Sequence, residues 1–336
     1  MGLRSGPARG PSVVSFGAHA LGEPPSKINI CLYLPSNVYL AFLPPVGQHG
    51  ALPNASATRV ERERAAMAMG EVGAGTDDSG SSFTFHVIES AFPSLQTVPM
   101  RDRLVKWNLQ PTMVAKAFRF DQAFKPQQLD AFLLDFFNDP EVQEHAPVAL
   151  PGGNATGASW GPLGKATAVK KECLAATLLR LDMFDQLEAT GIVRSGNISG
   201  CLDAQVGEIL VSDRLRLALL DEASEEYEAF STAQRRELLF HVMRRLAVGG
   251  GLNQWDDAME PYLSACKALY KDLVAVQKEA STGKLQVRSL CYEVTEVAGD
   301  TGALFPRASP HNFCYVCVDP VQRHVKYWYA AWFPMM

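Results

Sequence analysis

The spacing of apolar residues changes twice along the chain, and this change constrains the fold more than any other feature. Apolar and polar residues alternate at Phe83–Ile88, recur at helical spacing through the middle of the chain, and alternate again from Leu285 onward. Alternation places apolar residues on one face of a strand, whereas helical spacing places them on one side of a helix. Strands followed by helices and then by strands favour an α+β fold over a regular βαβ array. The sequence therefore predicts central helices packed with antiparallel strands.

The individual elements follow from these spacings and from the residues that begin and end them. The predicted strands are Phe83–Ile88, Lys116–Phe120, Leu285–Val297, Phe313–Val318 and His324–Phe333. The predicted helices are Thr97–Trp107, Gln127–Phe137, Glu172–Thr190, one capped by Ser212-Asp213, one that follows a capping box of Ser231 and Gln234, and one with Pro261 in its first turn. Asp319-Pro320 connects the last two strands as a C-terminal β-hairpin.

The composition divides the chain near residue 81. Residues 1–81 are rich in Gly, Pro, Ser and Ala, which predicts a flexible low-complexity extension. Residues 82–336 predict a single α+β domain, with a long mobile Gly/Pro-rich loop at Pro147–Gly164. The uncharged segment Ile28–Val46 approaches the length of a membrane span, but polar residues and prolines interrupt it. We therefore expect no membrane anchor.

Charge and cysteine content indicate the class of protein. The 336 residues are 47% hydrophobic and 20% charged, with a formal net charge of -5, which argues against a nucleic-acid-binding protein. The seven cysteines are an odd number in a chain of this size, which predicts reduced thiols in a cytosolic protein.

Two glycine-containing segments raise the question of a phosphate-binding loop. Gly249–Gly251 follows a helical pattern and precedes no Lys or hydroxyl residue, so we predict that Gly249 ends the helix in a left-handed conformation. Gly157–Thr167 contains Gly164-Lys165, but Ala166 stands where a magnesium-binding hydroxyl is required. We predict a solvated loop there.

The best metal candidate is Cys314-Tyr315-Val316-Cys317, which lies between His311 and His324. Zinc requires four converging ligands, but a strand directs positions 314 and 317 to opposite faces. We favour packed thiols, and a metal site at Cys314 and Cys317 stays open as the alternative.

The remaining polar segments have structural explanations that we prefer. Gly196–Gly200 has the composition of a nucleophile elbow in the wrong order. The acidic residues Asp221, Glu222, Glu225, Glu226 and Glu228 favour a solvated linker over a docking patch, and Asp256, Asp257 and Glu260 suit the start of a helix. The apolar stripe of Tyr262–Leu273 favours core over a partner groove. We predict no catalytic, cofactor-binding or metal-binding residues.

Several short stretches, taken in order, resemble one family. They are Ala117–Phe124 (AFRFDQAF), Phe136–Val142 (FFNDPEV), Gly191–Gly196 (GIVRSG), Cys201–Asp203 (CLD), Leu210–Asp213 (LVSD), Lys267–Val274 (KALYKDLV) and Val318–His324 (VDPVQRH). Together they are similar to the cilia- and flagella-associated protein 300 family, from roughly Phe83 to the C-terminus. The ordered set is more specific than any one stretch.

The resemblance implies a non-enzymatic protein of motile cilia and flagella, needed for assembly or transport of outer and inner axonemal dynein arms. It implies a location in the cytoplasm and the ciliary axoneme. The partners it implies are cytoplasmic dynein preassembly factors, axonemal dynein subunits and the intraflagellar transport machinery, without nucleic acid or membrane. It supplies no catalytic residues or cofactor. Because Met67–Glu71 resembles a family N-terminus, it also predicts that translation starts at Met67 or Met69.

Two other functions stay open at this point. One is a stable structural component of the axoneme, and the other is a nucleotide- or metal-dependent enzyme.

Overall fold

The computed structural model describes residues 82–153, 158–300 and 302–333, all of which belong to one compact unit. The uncharged segment Ile28–Val46 and the predicted starts Met67 and Met69 lie outside the described residues. Within the described ranges, no helix combines the length and apolar character needed to cross a bilayer.

The described chain alternates short and long strands with helices. The strands are β1 Phe85–Ile88, β2 Met113–Phe120, β3 Val148–Ala149, β4 Trp160–Gly161, β5 Ala166–Leu174, β6 Val193–Arg194, β7 Asn197–Ile198, β8 Gly200–Val206, β9 Ile209–Asp213, β10 Val276–Lys278, β11 Leu285–Val287, β12 Leu290–Gly299, β13 Phe313–Asp319 and β14 His324–Ala330. The α-helices are α1 Val98–Lys106, α2 Leu129–Asn138, α3 Pro140–His145, α4 Gln186–Ala189, α5 Arg214–Leu220, α6 Thr232–Arg235, α7 Leu238–Val248 and α8 Glu260–Leu273. Short 3₁₀ turns lie at Pro93–Gln96, Gln110–Thr112, Pro126–Gln128, Asp182–Phe184 and Glu225–Ala229.

Six strands form one antiparallel sheet in the order β1-β2-β14-β13-β12-β5. The remaining strands pair locally as β3-β4, β6-β7, β8-β9 and β10-β11. The α+β class, with helices packed on antiparallel strands, is confirmed. The predicted hairpin is β13-β14, where Asp319 pairs with His324. The Asp319 carboxylate accepts hydrogen bonds from the backbone N–H groups of Val321 and Gln322, which fixes the turn.

Helices cover both faces of the sheet. Cys314 and Val316 of β13 lie in one apolar cluster with Phe132 and Phe136 of α2. The alternate residues of β13 lie in a second cluster, together with buried residues of α1, α5, α7 and α8. A strand covered on both faces is apolar throughout, and every residue of β13 is buried. The sheet is therefore the middle layer of three.

Carboxylates block one edge of this sheet. The backbone N–H groups of Phe83, Phe85 and Val87 donate to Asp135, Asp139 and Glu141, respectively. These bonds occupy the donors that a further strand beside β1 would need. The hydrogen bond from the Val87 N–H, together with His86, holds the pKa of Glu141 below its usual value.

The predicted helix Glu172–Thr190 is wrong. Its first residues belong to β5, which pairs with β12, and Asp182–Phe184 is a 3₁₀ turn before the four-residue helix α4. Leu174, Phe184 and Leu187 have helical spacing, yet separate short segments carry them into the same cluster. Tertiary pairing with β12 overrides the local pattern here. Gly191 does follow the helix with a φ of 71°, as its position predicts.

The predicted strand Leu285–Val297 is two strands. β11 ends at Val287 and β12 begins at Leu290, and the two belong to different sheets. The break allows the backbone N–H of Arg288 to donate to the Ala275 carbonyl, while the Ala275 N–H donates to Ser289. The hairpins β6-β7 and β8-β9 had no counterpart in the predicted elements.

Candidate functional site

The triple glycine ends α7, as predicted. Gly249 follows Val248 with φ 64° and ψ -157°, and its N–H donates to the carbonyl of Arg245. The positive φ is as predicted, but the value of ψ differs from the left-handed helical one. Essentially only glycine adopts this combination of φ and ψ.

The neighbouring glycines permit a close approach of two chain segments. A Cβ at Gly250 would clash with the carbonyl oxygen of Asn108, and one at Gly251 would lie 2.8 Å from the ring nitrogen of Trp332. The Gly250 N–H donates to the Trp107 carbonyl. The segment after α7 is therefore packed against the end of α1, which explains three glycines in a row without a phosphate.

The segment containing Gly164-Lys165 leads into a strand. Ala166 begins β5, whereas a phosphate-binding loop leads into a helix. The solvated loop predicted at Gly157–Thr167 needs correction, because it includes residues of β4 and β5. The surface loop predicted at Pro147–Gly164 likewise needs correction, because its ends form the β3-β4 pair and Trp160 packs edge-on against Tyr329. Since Tyr329 belongs to β14, this contact places Trp160 over the sheet. Residues 154–157 lie outside the described residues, and the mobility of the loop stays a prediction.

Cys314 and Cys317 lie on opposite faces of β13, as predicted. Cys314 belongs to the cluster with α2 and Cys317 to the cluster with α7 and α8. Burial raises the pKa of the Cys314 thiol well above its usual value. The His311 Nδ1–H donates to the Gly249 carbonyl oxygen at 2.8 Å, which is a backbone group rather than a sulfur. Among the described residues, no group of three or more His, Cys, Asp or Glu is placed to hold a metal ion.

The other polar candidates make internal contacts. The Ser199 hydroxyl of the elbow-like segment donates to the Gly191 carbonyl. In the acidic linker, Glu226 accepts from Arg214 at 2.8 Å. Asp256 accepts from the Trp107 ring nitrogen at 2.8 Å, and Glu260 is the first residue of α8. The contacts of Ser199 and Glu226 are structural, and Glu260 lies at a helix start as predicted, but Asp256 precedes α8 and hydrogen-bonds to the end of α1 instead.

A buried charge network joins α7 to the sheet. Arg245 donates to the Glu293 carboxylate and the Tyr315 hydroxyl, both at 2.8 Å, and to the Pro310 carbonyl at 3.0 Å. His241 lies 3.3 Å from the same carboxylate. Burial raises the pKa of Glu293, but His241 and Arg245 outweigh it and bring the pKa to about 2. The carboxylate is therefore held ionised to stabilise the fold.

A second buried network joins α5, α7 and α8. The Arg216 side chain is 1% exposed and donates to Asp213 and to the Tyr262 hydroxyl, each at 2.7 Å. It also donates to the Ala247 carbonyl at 3.0 Å, and its guanidinium lies 4.2 Å from the centre of the Trp255 ring. The charge is fully paired with protein groups, as burial requires.

The face of α8 away from the core lines a surface groove. Tyr262, Cys266 and Leu269 are buried, which confirms the prediction that this stripe is core. The opposite side of α8 contributes to two adjoining depressions of about 420 Å³ and 450 Å³. Both are lined by Leu181, Lys267 and Lys271. We call the combined feature the α8 groove. Its remaining lining residues are Leu179, Arg180, Asp182, Leu239, Glu260, Leu263, Ser264, Ala268 and Tyr270.

The second wall of the α8 groove could not be derived from the sequence. It consists of residues 179–182, inside the segment wrongly predicted as a helix. The Tyr270 hydroxyl donates to the Leu178 carbonyl at 3.0 Å, which holds this wall beside α8. The available signal was the pair Lys267 and Lys271, which are four residues apart and so share one side of a helix.

Comparisons with known proteins give a consistent result. The family model described as "Cilia- and flagella-associated protein 300" matches residues 82–330. A Chlamydomonas reinhardtii protein of that name is 39% identical over 247 residues, which cover 72% of this chain and 94% of the relative. A Paramecium tetraurelia protein of the same name is 32% identical over 233 residues, which cover 68% of this chain and 87% of the relative. No solved structure matches the chain.

Proposed function

The chain belongs to the cilia- and flagella-associated protein 300 family, and on that premise we propose that it is a non-enzymatic factor for the assembly or transport of outer and inner axonemal dynein arms. Membership associates the chain with cilia and flagella. In the proposal it works in the cytoplasm and in the motile cilium, and ciliary beating depends on it.

The observation that carries the proposal is the extent of the family match. Residues 82–330 are matched, which is almost the whole described part of the chain. The shared feature is therefore an entire folded domain with its surfaces. Its buried arginines Arg216 and Arg245 are paired within the fold, and we therefore assign the function to the surface of the domain.

The proposed partners are cytoplasmic dynein preassembly factors, axonemal dynein subunits and the intraflagellar transport machinery. An assembly or transport factor holds a client for a limited time, so it needs a surface that is accessible in the free protein. The α8 groove is one such surface, because Lys267 and Lys271 are exposed beside partly buried apolar residues.

The test is deletion of the gene in ciliated cells, followed by electron microscopy of axoneme cross-sections. We expect both rows of dynein arms to be depleted, and re-expression of the intact chain to restore them. Full occupancy of both rows in cells lacking the chain would contradict the proposal.

Fractionation of wild-type cilia separates the proposal from a structural role. Detergent and high salt release transiently bound factors, whereas stable axonemal components stay with the microtubules. We expect the chain in the soluble fraction. Retention at a fixed ratio to tubulin would contradict an assembly role and indicate a stable part of the axoneme.

A further inference from the structure

The α8 groove has an apolar floor that helices of the core do not cover. Leu181, Leu263 and Ala268 pack against the main cluster from outside and are only partly buried, and Leu179 remains 44% exposed. Burial of partly exposed leucines against an apolar partner is favourable, at about 25 cal/mol per Å² of apolar surface. The floor therefore suits an apolar stripe from another molecule.

The rim of the α8 groove is positive, although the chain as a whole has a formal net charge of -5. Lys267 and Lys271 stand on the α8 side and Arg180 on the opposite wall, and all three side chains are exposed. Two acidic residues, Asp182 and Glu260, also line the groove. Arg103 lies 3.7 Å from Glu260 and offsets its charge. Among the lining residues, positive charge is thus in excess on the α8 side of the apolar floor, whereas Arg180 is balanced by Asp182 on the opposite wall.

We propose that the α8 groove binds an amphipathic helix with acidic flanks, presented by a partner protein. This inference rests on the proposed function and names the chemistry of one of its partners. An amphipathic helix presents an apolar stripe at i, i+3, i+4 and i+7, and acidic residues beside that stripe face Lys267 and Lys271. A basic or neutral helix lacks this complementarity.

The dimensions agree with a helix of moderate length. Residues 260 to 271 of α8 line the groove, and at a rise of 1.5 Å per residue they span about 17 Å. A bound helix lying along this distance makes about three turns of contact, which is the length of an ordinary globular helix. The occupant is therefore a short segment and need not be a whole domain.

The direct test uses designed peptides and the full chain. An acidic amphipathic peptide with a leucine stripe is labelled with a fluorophore and titrated with protein while anisotropy is measured. Two comparison peptides carry lysine in place of every glutamate, or the same acidic composition with the stripe scrambled. We expect the acidic amphipathic peptide to bind about tenfold more tightly than either comparison, with an affinity that falls as salt rises.

Matched variants locate the binding. The Lys267→Glu/Lys271→Glu variant reverses the charge on the α8 side of the rim and should weaken binding about tenfold or more, since like charges then face each other. The Lys278→Glu/Lys284→Glu chain makes the same change in net charge at exposed residues of β10 and the following turn. It should bind within about twofold of the unaltered chain. Because all four lysines are exposed, neither double variant should change the melting temperature, which is measured by thermal unfolding to check that both chains are folded.

Three results would overturn the inference. The first is equal binding of the acidic and lysine-containing peptides, and the second is equal weakening by the two double variants. The third is self-association of the unaltered chain that Lys267→Glu/Lys271→Glu abolishes in sedimentation velocity, because the occupant would then be a second copy. A photoreactive group on the leucine stripe gives an independent readout, and should cross-link to residues at Leu181, Leu263 or Ala268.

The peptide measurement and the cell experiment fail separately. If the acidic peptide binds as expected while cells without the chain keep all dynein arms, the inference about the α8 groove is supported and the proposed function is wrong. If the arms are lost but the peptides do not discriminate, the function stands and the partner uses another surface.

Discussion

Replacing Arg245 with methionine tests whether the buried network joins α7 to the sheet as described. Methionine keeps an unbranched apolar stem of similar length, so most packing is retained. The change removes hydrogen bonds to Glu293, Tyr315 and the Pro310 carbonyl, and leaves the Glu293 carboxylate with His241 as its remaining partner. Removing one member of a buried ion pair costs about 3–5 kcal/mol.

The pKa of Glu293 gives an independent estimate of the same size. Its value falls from 4.5 to about 2 in the folded protein. A difference of 2.5 units corresponds to about 3 kcal/mol at 1.36 kcal/mol per unit. His241 supplies part of this difference, but Arg245→Met also removes the hydrogen bonds to Tyr315 and Pro310, so we expect the change to lower the free energy of unfolding by about 3 kcal/mol.

The assay is urea unfolding at pH 7, followed by circular dichroism. The control is Arg101→Met, an exposed arginine of α1, which should change stability by less than about 0.5 kcal/mol. In the double variant Arg245→Met/Glu293→Gln the buried charge is gone, so its loss should be smaller than the sum of the single losses by about 1–3 kcal/mol. A loss below about 1 kcal/mol for Arg245→Met, or strict additivity in the double variant, would refute the reasoning.

Three further predictions concern other parts of the fold. Because the folded pKa of Glu293 is depressed, the stabilisation from its carboxylate is present above pH 4.5 and is lost as pH falls toward about 2. In urea unfolding measured across this pH window, the unaltered chain should therefore lose about 3 kcal/mol more stability than Glu293→Gln. Parallel curves of stability against pH for the two chains would contradict this. Gly250→Ala places a Cβ against a backbone carbonyl and should lower stability by about 1–3 kcal/mol. Gly200→Ala should change stability little, because the atom nearest to its Cβ would be 3.8 Å away. Equal melting temperatures for the two variants would show that the close approach at Gly250 is absent. A maleimide reagent should label the exposed Cys173 in the folded chain and reach the buried Cys314 only after denaturant is added, as peptide mapping by mass spectrometry will show; rapid labelling of Cys314 without denaturant would contradict its burial.

The sequence predicted elements whose limits are set by nearby residues. The capping box of Ser231 and Gln234 forms as predicted, although it begins the short helix α6, and α7 starts separately at Leu238. The β13-β14 hairpin follows from alternation and from the Asp319 turn. The opposite orientations of Cys314 and Cys317 need only the geometry of a strand.

The sequence did not predict elements whose identity depends on a distant partner. β5 is a strand because β12 lies beside it. Its last residue, Leu174, begins a helical spacing of apolar residues that Leu178 and Leu181 continue, and this spacing favours the wrong structure. The wall of the α8 groove depends on that same segment, so an error in one element concealed the surface. A groove between Leu181 and Lys267 joins residues far apart in sequence, and no local spacing encodes it.

The proposed role as an assembly or transport factor is tested most directly by affinity purification from cells that are regrowing their cilia, when dynein arms are being built. The tagged chain is recovered under mild salt, and co-purifying proteins are quantified against an untagged control and against cells with full-length cilia. We predict enrichment of axonemal dynein subunits or cytoplasmic preassembly factors, strongest during regrowth. Recovery of the intact chain without either class would contradict the account.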